Sequence, residues 1–263
     1  MDILTSRTNP RLRHVAKLRQ GRYRRQQGQF VVDGQREISR ALASSFRLLE
    51  LFVVADRYAN FMADGSQAVG NARKADRLTL VGPDAFVKIA YGQRNEGMVG
   101  VFATPAETLL DSALPADGIV LVADRIEKPG NLGAIFRSAD AAGVDAVVCC
   151  ECGTDRFHPN VIRASLGALF ALQCGAYTAA EIQAWLARNR YRCFAARVDA
   201  PRDFWTADLT GAVALIVGAE ATGLRENWQT EAVSIPMLGN VDSLNVSVAA
   251  ALLAFESRRQ KQC

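Results

Sequence analysis

Three short stretches in the C-terminal half mix glycine with a few polar side chains directly after apolar runs: 131–137 (NLGAIFR), 218–224 (GAEATGL) and 235–247 (IPMLGNVDSLNVS). Strand ends that meet a ligand have this composition, because glycine lets backbone approach closely and sparse polar groups fix orientation. In the first stretch Gly133 and Ala134 precede Arg137 by one helical turn. On a helix they share its face, and their small size leaves room for the guanidinium to lie against a bound group. The turn 128–131 (KPGN) ahead of a helix starting near 132 presents backbone N–H groups to an anion or a polar ligand. In the second stretch Glu220 stands just past an apolar strand, flanked by Gly218 and Gly223. A carboxylate there can hydrogen-bond a ligand or accept a proton, or it can cap the next helix. In the third, Pro236 ends a strand, Gly239 and Asn240 turn, and Ser243 and Asn245 can cap a long Ala-rich helix.

Other chemistries find little support. There is no G-x-G-x-x-G after the first strand of the C-terminal half, since 129–133 (PGNLG) carries only two of the glycines. Walker A, H-E-x-x-H and G-x-S-x-G patterns are also missing. The two histidines, His14 and His158, make a His-based triad improbable. The six cysteines, at 149, 150, 152, 174, 193 and 263, sit mostly in apolar segments rather than at the regular spacing of a disulfide framework, so reduced thiols are expected. The run 149–152 (CCEC), even with His158 nearby, lacks the paired C-x2-C spacing of structural zinc, and no metal is expected.

The elements that must position these groups follow a regular rhythm. Asn9–Pro10 reads as an N-cap with proline at the first helical position, opening a basic helix with its end bracketed by Gly21 and Gly28. A strand and turn over 30–34, a helix over 36–43 and strands at 51–54, 78–81 and 99–103 make a small α/β/α unit. A proline-containing segment follows, and residues 107–116 are read as a linker between a domain at 1–106 and one at 117–263. Beyond it, strands at 119–123, 146–150, 193–198, 213–218 and 232–236 alternate with helices near 132–142, 160–170, 178–189 and 246–259. Continuous apolar strands separated by helices indicate an α/β fold with a mostly parallel sheet covered on both faces.

With 263 residues, about half of them apolar, the chain is large enough for two cores. No apolar run approaches the ~20 residues of a membrane span, and no signal peptide is visible at the start, so a soluble, cytoplasmic protein without a membrane partner is expected. The formal charge of +4 is unevenly spread. Eight Lys or Arg and no acid lie between Arg7 and Arg25, while residues 41–263 are net acidic. Clustered cations of this kind favour a polyanion partner, because neutralising phosphates releases counterions.

The three stretches, in this order and near this spacing, resemble the three motifs of the SpoU (TrmH-type) RNA ribose 2′-O-methyltransferases of the SPOUT superfamily. A fourth, 160–167 (NVIRASLG), is similar as well, and the resemblance spans roughly 117–259. It implies a parallel α/β SPOUT domain with a deep trefoil knot, a homodimer, and S-adenosylmethionine held in the knot. Asn131 and Arg137 match the first motif, Glu220 the second, and Ser243 and Asn245 the polar pair of the third, giving the candidate catalytic set. Gly218, Ile235 and Leu244 match cofactor-contacting positions, and Met237 and Gly239 are placed with them. Arg137 is expected to act near the partner subunit's cofactor.

The segments 29–38 (QFVVDGQREI) and 91–99 (YGQRNEGMV) resemble the L30e-like RNA-binding domain carried by many members. This favours ribosomal RNA, with 23S rRNA as the expected substrate, over transfer RNA. The candidate RNA-contacting residues are Arg7, Arg11, Arg13, Lys17, Arg22, Arg24, Arg25, Arg36, Arg94 and Arg163. Where the family often has Asp-Pro before the first motif, this chain has Lys128–Pro129.

The reaction so implied is attack of a ribose 2′-hydroxyl on the donor methyl group, which needs alignment and removal of the hydroxyl proton. A guanidinium is not readily deprotonated. Arg137 is therefore read as binding the adjacent phosphate and stabilising alkoxide charge, with Glu220 or water as proton acceptor. The competing readings are a tRNA 2′-O-methyltransferase, a non-catalytic RNA-binding or ribosome-assembly protein on the same fold, and a nicotinamide-dependent enzyme on an ordinary doubly wound sheet.

Overall fold

The computed structural model describes residues 2–44, 46–92, 96–218, 224, 228 and 230–262. They form two compact units, the first from 1–106 together with 157–171 and the second from 107–156 together with 172–263.

The first unit is built on a five-stranded sheet ordered β1 (Ile3–Leu4), β4 (Leu78–Val81), β3 (Leu48–Val54), β5 (Met98–Ala103), β2 (Gln29–Asp33). β1, β4 and β3 run parallel, while β5 is antiparallel to both β3 and β2. Asn9 caps the Pro10–Lys17 helix by accepting from the Arg11 N–H at 2.9 Å, with proline at the first turn as its fixed φ favours. The basic segment does not continue as one helix. Gln20 is extended, and a second helix, Gly21–Gln27, runs to a left-handed Gly28. Arg24 folds back into the gap, donating from Nη1 to the carbonyls of Leu18 at 3.0 Å and Arg19 at 2.7 Å.

Residues 157–171 join this unit through aromatic packing. Phe157 stacks on Phe30 with ring centroids 4.2 Å apart, and Phe170 meets Phe46 edge-on at 5.1 Å. Such pairs each add about 0.5–1.5 kcal/mol beyond the area they bury. The helix expected over 160–170 is correspondingly broken. It spans Pro159–Ala164, then Leu166 and Gly167 take left-handed φ of 55° and 79° before a short 3-10 turn at Ala168–Phe170.

The second unit holds a six-stranded sheet ordered β11 (Glu231–Val233), β9 (Arg192–Ala196), β10 (Val213–Val217), β6 (Ile119–Asp124), β7 (Ala146–Cys150), β8 (Gln173–Tyr177), with every pairing parallel. β6, β7 and β10 are buried along their whole length, as continuous apolar strands covered on both faces must be. β9 and β11 stop earlier than their apolar runs suggest, because Ser234 leaves the ladder to bridge Asp203. The segment 107–116 is not a free linker. Leu109 is buried in this unit's core, its N–H bonds the Tyr177 hydroxyl, and Glu107 pairs with the buried Arg156 at 2.7 Å.

The C-terminal helix, Val246–Gln262, buries Val246, Ala250, Leu253, Ala254 and Ser257 against the Pro129–Ala141 helix and strands β10 and β6. Arg258 donates to the carbonyls of Ala142 and Gly143, closing the end of the Pro129–Ala141 helix. Its other face exposes Val248, Leu252 and Phe255, one helical stripe without cover in the single chain.

Candidate functional site

The Pro129–Ala141 helix begins three residues earlier than expected, since Lys128 is extended and Pro129 supplies the first helical position. The N–H groups of Asn131 and Leu132 therefore close onto the Lys128 carbonyl, at 3.1 and 3.2 Å, and do not serve as the anion-receiving turn read from the sequence. Asn131 instead presents its side chain from the first turn. Its Oδ1 accepts from Asn245 Nδ2 at 3.1 Å, tying the first motif to the third across the unit. Asn245 is also the N-cap of the C-terminal helix, its Oδ1 accepting from the Ser247 N–H at 2.9 Å and from the Ser247 hydroxyl at 2.6 Å. Both sides of its amide are thus engaged, which fixes its orientation.

Two turns into the Pro129–Ala141 helix, Arg137 is exposed and makes no hydrogen bond or ion pair among the described residues. An arginine left without an intramolecular anion is available to an external one. Glu220 lies outside the described residues.

Beyond the carboxyl ends of β9 and β10 a cavity of about 530 Å³ opens, a volume within the usual range for small-molecule sites. Gly218, Ile235, Met237, Ser243 and Leu244 line it, so four of the five expected cofactor positions converge there with one expected catalytic serine. Gly239 does not: it sits exposed in the 239–240 bend with open space around its Cα.

The wall contributed by residues 196–199 was not anticipated. Val198 and the ion pair of Arg197 with Asp199, 3.3 Å apart, come from the segment just past the end of β9. Their motif-poor sequence gave no signal; only the adjacency of β9 and β10 in the sheet places them at the site. Asp242 adds a second carboxylate to the lining. The lining is thus mainly apolar, with Asp199 already paired to Arg197 and Asp242 as a second carboxylate. Among the described residues no group of three or more His, Cys, Asp or Glu could hold a metal ion, and no helix is long and apolar enough to cross a membrane.

In the first unit, Arg7, Arg11, Arg13, Lys17, Arg22, Arg25, Arg36 and Arg163 are exposed. Several are partly engaged locally: Arg11 bonds Glu50 and Thr79, and Arg36 bonds Glu37 at 2.6 Å. Arg24 is removed from the expected RNA-contacting set. It is 4% exposed and uses its guanidinium on the carbonyls that end the preceding helix. Arg94 lies outside the described residues.

A fully parallel sheet that opens a ligand-sized cavity past two adjacent strand ends, with polar groups from separate chain segments brought to its margin, defines an α/β small-molecule-binding domain. Comparison with known proteins narrows the class. Residues 118–255 match the SpoU rRNA methylase family, and residues 9–100 match the MRM3-like substrate binding domain. The chain belongs to the SpoU rRNA methylase family.

It is 32% identical to the 23S rRNA (guanosine-2′-O-)-methyltransferase RlmB of Haemophilus ducreyi, over 82% of this chain and 91% of the relative. It is 28% identical to the 23S rRNA (uridine(2479)-2′-O)-methyltransferase of Streptomyces viridochromogenes, over 89% of this chain and 84% of the relative. Among solved structures, the AdoMet-bound rRNA methyltransferase of Sinorhizobium meliloti superposes with a TM-score of 0.88 at 26% identity, covering 98% of this chain and 97% of that one.

Proposed function

We propose that this protein methylates a ribose 2′-hydroxyl of 23S ribosomal RNA, using S-adenosylmethionine, and that it works in the cytoplasm as a homodimer. The observation that carries the reading is the meeting of the first and third motifs through Asn131 and Asn245, beside a cavity lined by Gly218 and the 235–244 segment. Family membership, relatives that act on 23S rRNA, and a relative solved with AdoMet support it.

Val198, Gly218, Ile235, Met237 and Leu244, which line the cavity, would hold the cofactor. When bound, S-adenosylmethionine supplies an activated methyl group on a sulfonium. The protein's own share is positioning and charge. Arg137 binds the phosphate next to the reacting ribose and stabilises negative charge as the 2′-oxygen loses its proton. Asn131 and Asn245 hold the two motifs in register, Ser243 offers a hydroxyl at the cavity wall, and Glu220 or water takes up the proton.

Residues 1–106, with 157–171 packed into the same unit, serve as the RNA substrate-binding domain, and 107–156 with 172–263 as the methyltransferase domain, with the exposed arginines and Lys17 on the phosphate backbone. The passage from β11 through 234–245 into the C-terminal helix, which returns to pack on β10 and β6, is read as the deep trefoil knot of the superfamily. The uncovered stripe of Val248, Leu252 and Phe255 supports the dimer, with Arg137 acting across the interface near the partner's cofactor.

The test is methyl transfer from radiolabelled S-adenosylmethionine to 23S rRNA, with the product nucleotide mapped by its resistance to alkaline cleavage. Label in a ribose 2′-O position supports the assignment. Cofactor binding without transfer to any RNA would leave the non-catalytic RNA-binding reading in its place.

A further inference from the structure

The run 149–152 (CCEC) has no part in the proposed reaction, yet its sulfurs are not arranged as inert core thiols. Cys149 is the penultimate residue of β7, on the face opposite to Cys150, and is 3% exposed. Glu151 then takes a left-handed φ of 44°, a conformation uncommon for a residue with a side chain, and the chain turns sharply. That turn folds Cys152 back beside the strand pair that holds Cys149: its thiol donates to the carbonyl of Ala123, the residue paired with Cys149 across β6 and β7. Cys149 is sealed in the protein, whereas Cys152 is partly exposed.

The surroundings distinguish the pair further. The neighbouring Cys149, with the backbone at Ile126 and Cys150, holds the Cys152 thiol below its ordinary range against burial and the charge of Asp124, while Cys152 and burial push Cys149 well above it. Cys174, on the neighbouring strand, and the buried Arg156 also face Cys149. By contrast Cys193 has only burial acting on it, which pushes its thiol up to about 11. A partly exposed thiol three residues from a sequestered one, with a sharp turn between them, is the arrangement of a redox-reactive dithiol.

We propose that Cys152 and Cys149 form a peroxide-reactive dithiol that closes to an intramolecular disulfide. The Cys152 thiolate attacks hydrogen peroxide: an S–O bond forms, the O–O bond breaks, and hydroxide leaves to be protonated as water. Cys149 sulfur then attacks the resulting sulfenic acid, forming the S–S bond and breaking the S–O bond. The departing hydroxide takes the Cys149 proton as a second water. Two thiols are oxidised by two electrons, one peroxide is reduced, and two waters result.

Closure has a structural consequence within the same unit. The Cys152 thiol donates to the Ala123 carbonyl at 3.2 Å, and that bond is lost once the S–H is consumed. Two more bonds tie this loop to the 123–127 turn, Arg125 N–H to the Cys150 carbonyl at 2.8 Å and Gly153 N–H to the Ile126 carbonyl at 3.1 Å. That turn leads directly into the helix that carries Asn131 and Arg137.

The reduced full-length protein is exposed to hydrogen peroxide, its free thiols are blocked with N-ethylmaleimide, and it is digested with trypsin without reductant. Residues 138–156 form one tryptic peptide holding Cys149, Cys150 and Cys152. Untreated protein carries three adducts on it. After peroxide the expected peptide carries one adduct, on Cys150, and has lost two hydrogens, and dithiothreitol restores all three sites. In Cys149→Ser the reaction stops at a sulfenic acid on Cys152 that dimedone captures. With limiting iodoacetamide, Cys152 reacts about tenfold or more faster than Cys193. Three adducts persisting after peroxide, a bridge from Cys152 to Cys174, or direct passage of wild-type Cys152 to sulfinic acid would each overturn the proposal. The wild-type peptide map decides the matter without any variant, and independently of whether the protein methylates RNA.

Discussion

Asn245 donates from Nδ2 to Oδ1 of Asn131 across 3.1 Å, joining positions 114 residues apart in the chain. One of these side chains begins the helix that bears Arg137, and the other caps the helix that ends the protein. If they act as one positioning unit, their removal is not additive. Asn131→Ala and Asn245→Ala are each expected to slow single-turnover methylation about tenfold, and the double variant by clearly less than the product, with a coupling of about 0.5–1.5 kcal/mol. Strictly multiplicative losses in the cycle would show the contact to be incidental.

Arg137 has no partner within the described chain, so its substitution should leave folding alone and strike the reaction. Arg137→Ala is expected to lower the single-turnover rate by about 10²–10³, with Arg137→Lys recovering only part of it, since a point charge lacks the planar donor pair. Calorimetric affinity for S-adenosylmethionine should change little. Full activity in the lysine variant would remove the need for a bidentate contact.

Leu252→Asp combined with Phe255→Asp places two charges on the uncovered stripe of the C-terminal helix, where the native residues are 38% and 49% exposed. Sedimentation should show the wild type as a dimer and the variant as a folded monomer that has lost methylation, provided Arg137 works across the interface. A variant that sediments unchanged would move the interface elsewhere.

Within the basic N-terminal run, two kinds of arginine can be separated by measurement. Arg24→Ala leaves the Leu18 and Arg19 carbonyls without their donor in a buried place, a loss of about 1–3 kcal/mol, and its thermal midpoint should fall. Arg22→Ala and Arg25→Ala, both at exposed positions, should keep the midpoint. Each should weaken RNA binding and flatten its salt dependence by about one phosphate contact. Equal thermal losses in all three would contradict the division.

Filling the cavity offers a check on the cofactor site. Ala249→Trp introduces an indole where Val217, Leu224, Met237 and Leu244 now surround open space. Affinity for S-adenosylmethionine is expected to fall by at least about tenfold while RNA retention by the first unit persists. Unaltered cofactor affinity would place the donor outside this cavity.

The parallel sheet was legible from sequence because its strands carry the burial themselves: 119–123, 146–150 and 213–217 are unbroken apolar runs, and all three are buried strands. The third motif was legible because Ser, Asn and Ser at alternate positions exceed what capping alone requires. What could not be read depended on contacts between distant segments. Arg24 looks like its exposed neighbours in sequence, and only the break at Gln20 turns it inward. Residues 107–116, with Pro105 just before them, Pro115 among them and a weak acidic patch, resemble a tether until Leu109 and Glu107 meet Tyr177 and Arg156. The 196–199 wall of the cavity follows from strand order, which local pattern does not encode.

The fifteen residues 157–171 return from the second half of the chain to complete the first unit's aromatic cluster. The polypeptide therefore passes between the two halves three times instead of once. A shortened gene ending at position 106 would make a fragment missing Phe157 and Phe170, and grafting the N-terminal half onto another enzyme would require carrying this internal insert along. Divergence of substrate choice in such a protein cannot proceed by simple exchange of a leading exon-like block; it must alter two stretches of the gene in concert.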